Sequence, residues 1–361
     1  MIVDGHEDLA WNIETFGRDY TRSVEATRAL EAGGPTVEHN GQALLGWPDW
    51  IEGQVGLTFA VLFASPKRWQ MGAWDHVIYE DSAQAHWRYW GQLDLYERLA
   101  DDHPDKFQLI TSQTGLATHL AAWEAKADQR KLGWLLLMEG ADGVGAPQEL
   151  EEWYGRGLRI VGPAWDRTRY AGSCYDPGPF THEGFALLEV MAQLGMLLDV
   201  SHLSDEAARQ AVDRYPGSLL ASHANVRRLV PHSRYPERHL HDDVIGGLVE
   251  RDAVIGVVLA NKFLKDGWQP GDPRELVTIE HVVDHIDAIC QLAGDARHVA
   301  LGSDFDGGFG LDQVPVGLDS IADLGKIGQA LLARGYQESD MLGVLGNNWI
   351  RLLERALPPS D

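Results

Sequence analysis

The chain has 361 residues, 44% of them hydrophobic, and 54 acidic against 30 basic residues give it a formal net charge of −24. That length can bury a large core, and the acidic balance argues against nucleic acid and anionic membrane surfaces, which need a basic footprint. Cys174 and Cys290 are the only cysteines, and no Cys-x-x-Cys is present, so no disulfide framework is expected. A reducing, cytoplasmic setting fits, with neither a basic-then-apolar leader nor an apolar run of about 18 residues in sight.

The elements follow in order. Residues 2–8 (IVDGHED) form the first short apolar run, and a long connection, 9–54, follows with Gly33-Gly34-Pro35 inside it. Its length predicts an excursion over one end of the fold. The second run is 55–64. Segment 74–128 reads as two helices broken near His103-Pro104, and the third run is 132–139. From there runs and helical periodicity alternate: helix 149–154, run 158–164, helix 183–194, run 196–202, helix 205–213, run 218–223, helix 242–250, run 254–260, helix 279–292 and run 298–304. The tail 318–357 reads as two more helices. Near-continuous Val/Leu/Ile runs suit parallel strands buried on both faces. Eight strand-then-helix repeats predict a (β/α)₈ TIM-type barrel as one domain over 1–361, with a doubly wound open sheet as the alternative.

The ligand-type residues stand at the ends of these runs. His6 and Asp8 close the first, Glu139 the third, His202 the fifth, His223 the sixth and Asp304 the eighth. In a barrel these ends converge on one mouth, where active sites sit. His6 and Asp8 are two apart, and alternation along a strand would turn both to one side. Imidazole with carboxylate suits zinc or a similar first-row metal. Three carboxylates at one mouth repel unless cations neutralise them. Two divalent ions about 3.5–4 Å apart, bridged by a carboxylate, would relieve that repulsion and lower the pKa of water towards about 7. Each residue alone has a plainer reading: His202 as a cap for the helix starting near Ser204, Glu139 as the partner of a buried arginine. Six such residues on five strand ends outweigh those readings together. His232, His239 and His241 cluster after the sixth run and could line a substrate loop.

At these positions the sequence resembles the membrane (renal) dipeptidase family, a branch of the metal-dependent amidohydrolase superfamily. The matching pieces are Asp4-Gly5-His6-Glu7-Asp8-Leu9, Met138-Glu139-Gly140-Ala141-Asp142, Asp199-Val200-Ser201-His202, Ser222-His223-Ala224-Asn225, Gly302-Ser303-Asp304-Phe305-Asp306-Gly307 and Gly346-Asn347-Asn348-Trp349-Ile350-Arg351. They run in family order along nearly the whole chain. The resemblance implies that His6 and Asp8 hold one zinc, that His202 and His223 hold the other, that Glu139 bridges them, and that Asp304 shuttles the proton. It implies that Arg238 binds the substrate carboxylate, with Arg234 as substitute. One departure stands out. Family dipeptidases carry a histidine just after the fourth strand that helps bind the substrate carbonyl oxygen, and Trp165 occupies that position here. The loop 167–180 that follows, rich in Gly, Pro and aromatics, is expected to line the pocket.

The expected activity is hydrolysis of small dipeptides, with a D-residue tolerated on the C-terminal side. Alternatives are another small amide, lactam, lactone or N-acyl amino acid at the same site, or a catalytically idle accessory protein that retains the fold. A small-molecule substrate is the expected partner. Thirteen tryptophans are enough to furnish an aromatic homodimer face.

Overall fold

A computed structural model describes residues 1–125 and 129–360. Eight parallel strands close on themselves: β1 (Ile2–Glu7), β2 (Val55–Leu62), β3 (Leu132–Glu139), β4 (Leu158–Gly162), β5 (Leu197–Asp199), β6 (Leu219–Ala221), β7 (Val254–Val257) and β8 (Val299–Leu301). The seam is the β8–β1 pairing, Leu301 against Asp4. The fold is the expected (β/α)₈ barrel. Seven of its strands bury every residue on both faces because helices cover the outside while side chains fill the inside, and β1 does the same. Val3, Phe59, Leu137, Ile160, Leu220 and Val254 belong to the inner cluster.

The helices are bounded by ordinary cap chemistry. Thr181 caps the helix His182–Leu194, accepting from Gly184 N, and Gly195 ends it with φ 69°. Ser204 caps Asp205–Arg214, and Asp205 and Glu206 occupy its first turn, where carboxylates favour the helix dipole.

The long first connection folds into four short helices, Leu9–Phe16, Val24–Glu31, Pro35–Asn40 and Trp47–Glu52. It is pinned to the loop after β8 through one buried carboxylate. Arg18 Nη1 and Tyr20 OH each lie 3.0 Å from Asp306 Oδ2, and Leu44 N donates to Oδ1 at 2.8 Å. The excursion therefore sits on the same end of the barrel as the β8 loop.

Two details differ from the sequence reading. Segment 74–128 holds the helices Ser82–Asp102 and Gln113–Ala125, but between them the strand Phe107–Leu109 pairs with the start of β3, below the point where β4 joins it. Three residues are too few to show a period. Residues 126–128, the end of the second expected helix, lie outside the described residues. The tail forms Gly325–Arg334 and Glu338–Leu342, the latter running through a π turn, Gly343–Asn347, into Asn348–Ala356. That last helix sends Trp349 into the barrel interior, where its indole N–H donates to Leu301 O at 2.8 Å and its ring meets Phe59.

Candidate metal centre

The strands are shorter than the apolar runs. His6 and Glu139 are strand residues, whereas Asp8, His223, His202 and Asp304 stand one to three residues beyond β1, β6, β5 and β8. Asp8 thus meets His6 from the turn into Leu9–Phe16, with φ −87° and ψ 53°, and the β1 pairing itself shifts register between Asp4 and Glu7. Regular strand alternation is not what aligns the two side chains; a bulged strand end is.

All six residues come together. Glu139 Oε1 lies 2.9 Å from His202 Nε2, 3.3 Å from His223 Nε2 and 3.7 Å from His6 Nε2. His6 Nε2 is also 3.7 Å from Asp8 Oδ2, and the His202 and His223 Nε2 atoms are 3.0 Å apart. Two overlapping groups have ligand atoms close enough to share an ion: His6, Glu139 and His223, and His6, Asp8 and Asp304. His202 does not cap the following helix, which Ser204 does. Among the described residues Glu139 is ion-paired to imidazoles and to no arginine.

The electrostatics call for cations. Burial pushes the Glu139 carboxyl well above its ordinary value; His6 opposes this, and Asp8 and Asp304 add to it. Burial likewise raises Asp304, to about 7, against the pull of His6. Burial alone would depress the His6 imidazolium, but Glu139, Asp8 and Asp304 outweigh it and hold it at about 9. His202 and His223, desolvated and facing Arg238 and His6, are pushed well down. His6 Nε2 and Asp8 Oδ1 are buried without a hydrogen-bond partner, a costly state for a polar atom unless a cation takes it. Imidazole nitrogens and carboxylate oxygens converging in this way fit divalent first-row ions.

Asp304 is set by its backbone. It holds φ 60°, a region aspartate enters more readily than most residues, and its N–H donates to His6 O at 3.1 Å. Ser303 before it donates through both N–H and hydroxyl to the buried Asp4.

Over these groups opens a cavity of about 390 Å³ whose walls include Phe63, Trp69, Trp165, Tyr175 and Tyr235. Trp165 packs at 5.1 Å from the Phe63 ring and 5.3 Å from Tyr175, and its centroid is 6.1 Å from that of His202. It therefore both packs against the loop 167–180 and walls the cavity. Arg238 is buried beside this cluster: Nη1 donates to His223 O at 2.9 Å, while Nε has no partner among the described residues. Arg234 is exposed at the rim, stacked over Tyr235. Of the three clustered histidines only His232 lines the cavity, paired to Asp266; His239 is buried against Ser233, and His241 caps the helix Asp242–Glu250. Lys262, just past β7, also lines the cavity, with its ammonium over the Phe263 ring. The sequence reading passed over it, although its place after a barrel strand was the available signal.

Residues 1–357 match the model of the membrane dipeptidase family, peptidase family M19. The chain belongs to this family. It is accordingly a metal-dependent dipeptidase by class. A Klebsiella pneumoniae protein encoded in the pqqA 5′ region is 30% identical over 275 residues, 73% of this chain and 94% of that one. Dipeptidase aclJ of Aspergillus oryzae is 26% identical over 359 residues, 98% of this chain and 77% of that one. A Rhodobacter sphaeroides metallopeptidase, solved with a phosphinate mimic of the dipeptide L-Ala-D-Ala, shares the fold with a TM-score of 0.78 and 22% identity, covering 98% of this chain and 99% of that one. No helix among the described residues of this dipeptidase is long and apolar enough to cross a membrane.

Proposed function

We propose that this dipeptidase is a binuclear zinc enzyme that cleaves the amide bond of small dipeptides and accepts a D-residue on the C-terminal side. The observation that carries the count of two is Glu139 Oε1, which stands within 3.7 Å of Nε2 of His6, His202 and His223. One carboxylate facing imidazoles from three strand ends supports a bridging role. His6 and Asp8 would hold one ion, His202 and His223 the other. The D-residue preference draws support from the ligand of the Rhodobacter relative.

Divalent ions, when bound, would supply a water deprotonated near neutral pH and would polarise the scissile carbonyl. The chain's own residues do the rest. Asp304, whose carboxyl burial lifts to about 7, accepts the proton of the attacking water and returns it to the leaving amine. Arg238, with Nε unmatched, pairs with the substrate's terminal carboxylate and fixes that end. The aromatic walls exclude water and take the side chains.

Trp165 supports a second reading. Its ring fills space beside His202 where the family histidine would donate to the carbonyl oxygen, which favours an N-acyl amino acid, lactam, lactone or other small amide over ordinary L,L-dipeptides. An idle accessory role is disfavoured, because an unused site has no reason to desolvate three carboxylates together. The test is a hydrolysis screen on zinc-loaded protein with L,L- and L,D-dipeptides and N-acyl amino acids. Turnover of L,D-dipeptides supports the first reading. Turnover confined to N-acyl amino acids or lactams supports the second, and no turnover on any of them overturns both.

A further inference from the structure

Ser222 lies between β6 and the ligand His223, and the barrel is shaped around it. A Cβ on Gly5 would fall 2.7 Å from the Ser222 carbonyl oxygen, and one on Gly256 or Gly302 closer still. These glycines come from β1, from β7 and from the end of β8. Three strands thus forgo side chains at the same point, which lets the Ser222 backbone project into the barrel interior.

Among the described residues the hydroxyl's hydrogen bonds can be counted. Ser222 Oγ lies 2.5 Å from Asp199 Oδ2, a short charge-assisted contact that takes its only proton. Asp199 Oδ1 accepts from Ser222 N at 2.9 Å, from Ser201 Oγ at 2.6 Å and from Ser201 N at 3.0 Å. The Ser201 proton is therefore spent on the same carboxylate and is not available to Ser222, 3.2 Å away. Ser222 Oγ is left with two lone pairs, and two imidazole nitrogens approach it: His223 Nδ1 at 2.8 Å and His6 Nδ1 at 3.2 Å. An oxygen with no proton left can only accept, so both Nδ1 atoms must carry hydrogen. In the neutral imidazoles that bind a metal, both Nε2 lone pairs are then free on the side facing Glu139. His202 differs: among the described residues its Nδ1 meets only the Cys174 thiol, at 3.7 Å.

We propose that Ser222, oriented by Asp199, is a positioning residue that fixes the tautomer of His6 and His223 together, so that one hydroxyl governs a ligand of each ion. The inference rests on the two-ion reading given above. A ligating imidazole is held in its binding tautomer by the partner of its other nitrogen, and loss of such partners costs about 10- to 100-fold in metal affinity. Because the acceptor is shared, the loss falls on both ions at once.

The experiment uses the full chain loaded with zinc, with ¹⁵N-labelled histidine. Long-range ¹H–¹⁵N spectra of the unmodified protein are expected to show His6 and His223 protonated at Nδ1 and metal-bound at Nε2. Ser222→Ala is expected to lower zinc affinity by about 10- to 100-fold at both sites and to mix the tautomers, and Ser222→Thr, which keeps the hydroxyl, to recover most of both. A proton on Nε2 of either histidine in the unmodified protein overturns the proposal, whatever the variants do. So does Ser222→Ala with unmodified affinity and tautomers. Fewer than two zinc ions in the unmodified protein would instead overturn the two-ion reading, and the same spectra would still decide the tautomers.

Discussion

Gly307→Ala tests whether Asp304 must stand where the structure has it. An ideal Cβ at Gly307 would overlap Asp304 Oδ1 and lie 2.8 Å from Asp304 O and 2.9 Å from its Cγ, where real Cβ contacts begin at about 3.0 Å. The Asp304 backbone cannot easily yield, because it sits at φ 60° with its N–H on His6 O and its neighbour Ser303 tied to Asp4. The carboxylate must therefore swing away by on the order of 1 Å, a displacement that costs about 10²-fold in rate at a reacting group. The three atoms nearest the new methyl all belong to Asp304 and none to the five proposed metal ligands, so metal content should hold. The assay is kcat on the best dipeptide alongside metal content. A kcat within a factor of about three of the unmodified protein, with metal retained, would refute the placement argument.

Asp304→Asn should abolish turnover while leaving most of the metal bound, since an amide cannot carry the proton; metal analysis beside the rate checks both halves. Amidating the substrate's C-terminus should lower kcat/KM by at least about tenfold in the unmodified protein and much less in Arg238→Met, because the penalty comes from buried guanidinium donors left unmatched; equal sensitivity in both proteins would remove Arg238 from that role. Simple L,L-dipeptides should be poor substrates, because losing one oxyanion donor typically costs about 10²–10³ in rate; a kcat/KM above about 10⁵ M⁻¹s⁻¹ on them, well inside the ordinary enzyme range, would refute the argument from Trp165.

The barrel was legible because parallel strands buried on both faces leave uninterrupted apolar runs, and most of the eight are separated by helical periods. Strand ends were overestimated because burial continues past the last ladder hydrogen bond: residues 200–202 are still buried after β5 ends at Asp199. Phe107–Leu109 and the π turn before Asn348 were invisible, one too short for a period and the other a slip inside a helical pattern. The gathering of the candidate metal-binding residues was legible because barrel topology brings strand ends together whatever their separation in sequence. The support behind them was not. Asp199, Ser222 and Ser303 lay inside the matching pieces but drew no role there, because that role comes from distances to side chains on other strands. The convergence of Gly5, Gly256 and Gly302 on one carbonyl is likewise a property of the closed barrel alone. Trp165 and the loop 167–180 were expected at the pocket, whereas Lys262, on the one-turn helix Asn261–Leu264, and Trp69 and Tyr235 come from connections whose course no periodicity fixes.

The most direct test of the account is the metal content of purified protein after growth with ample zinc, set beside His202→Ala. Two zinc ions per chain are expected, falling to about one in the variant, since Glu139 can still serve the ion held by His6 and Asp8. A content near zero, or a single ion in the unmodified chain that His202→Ala leaves in place, would contradict the binuclear centre.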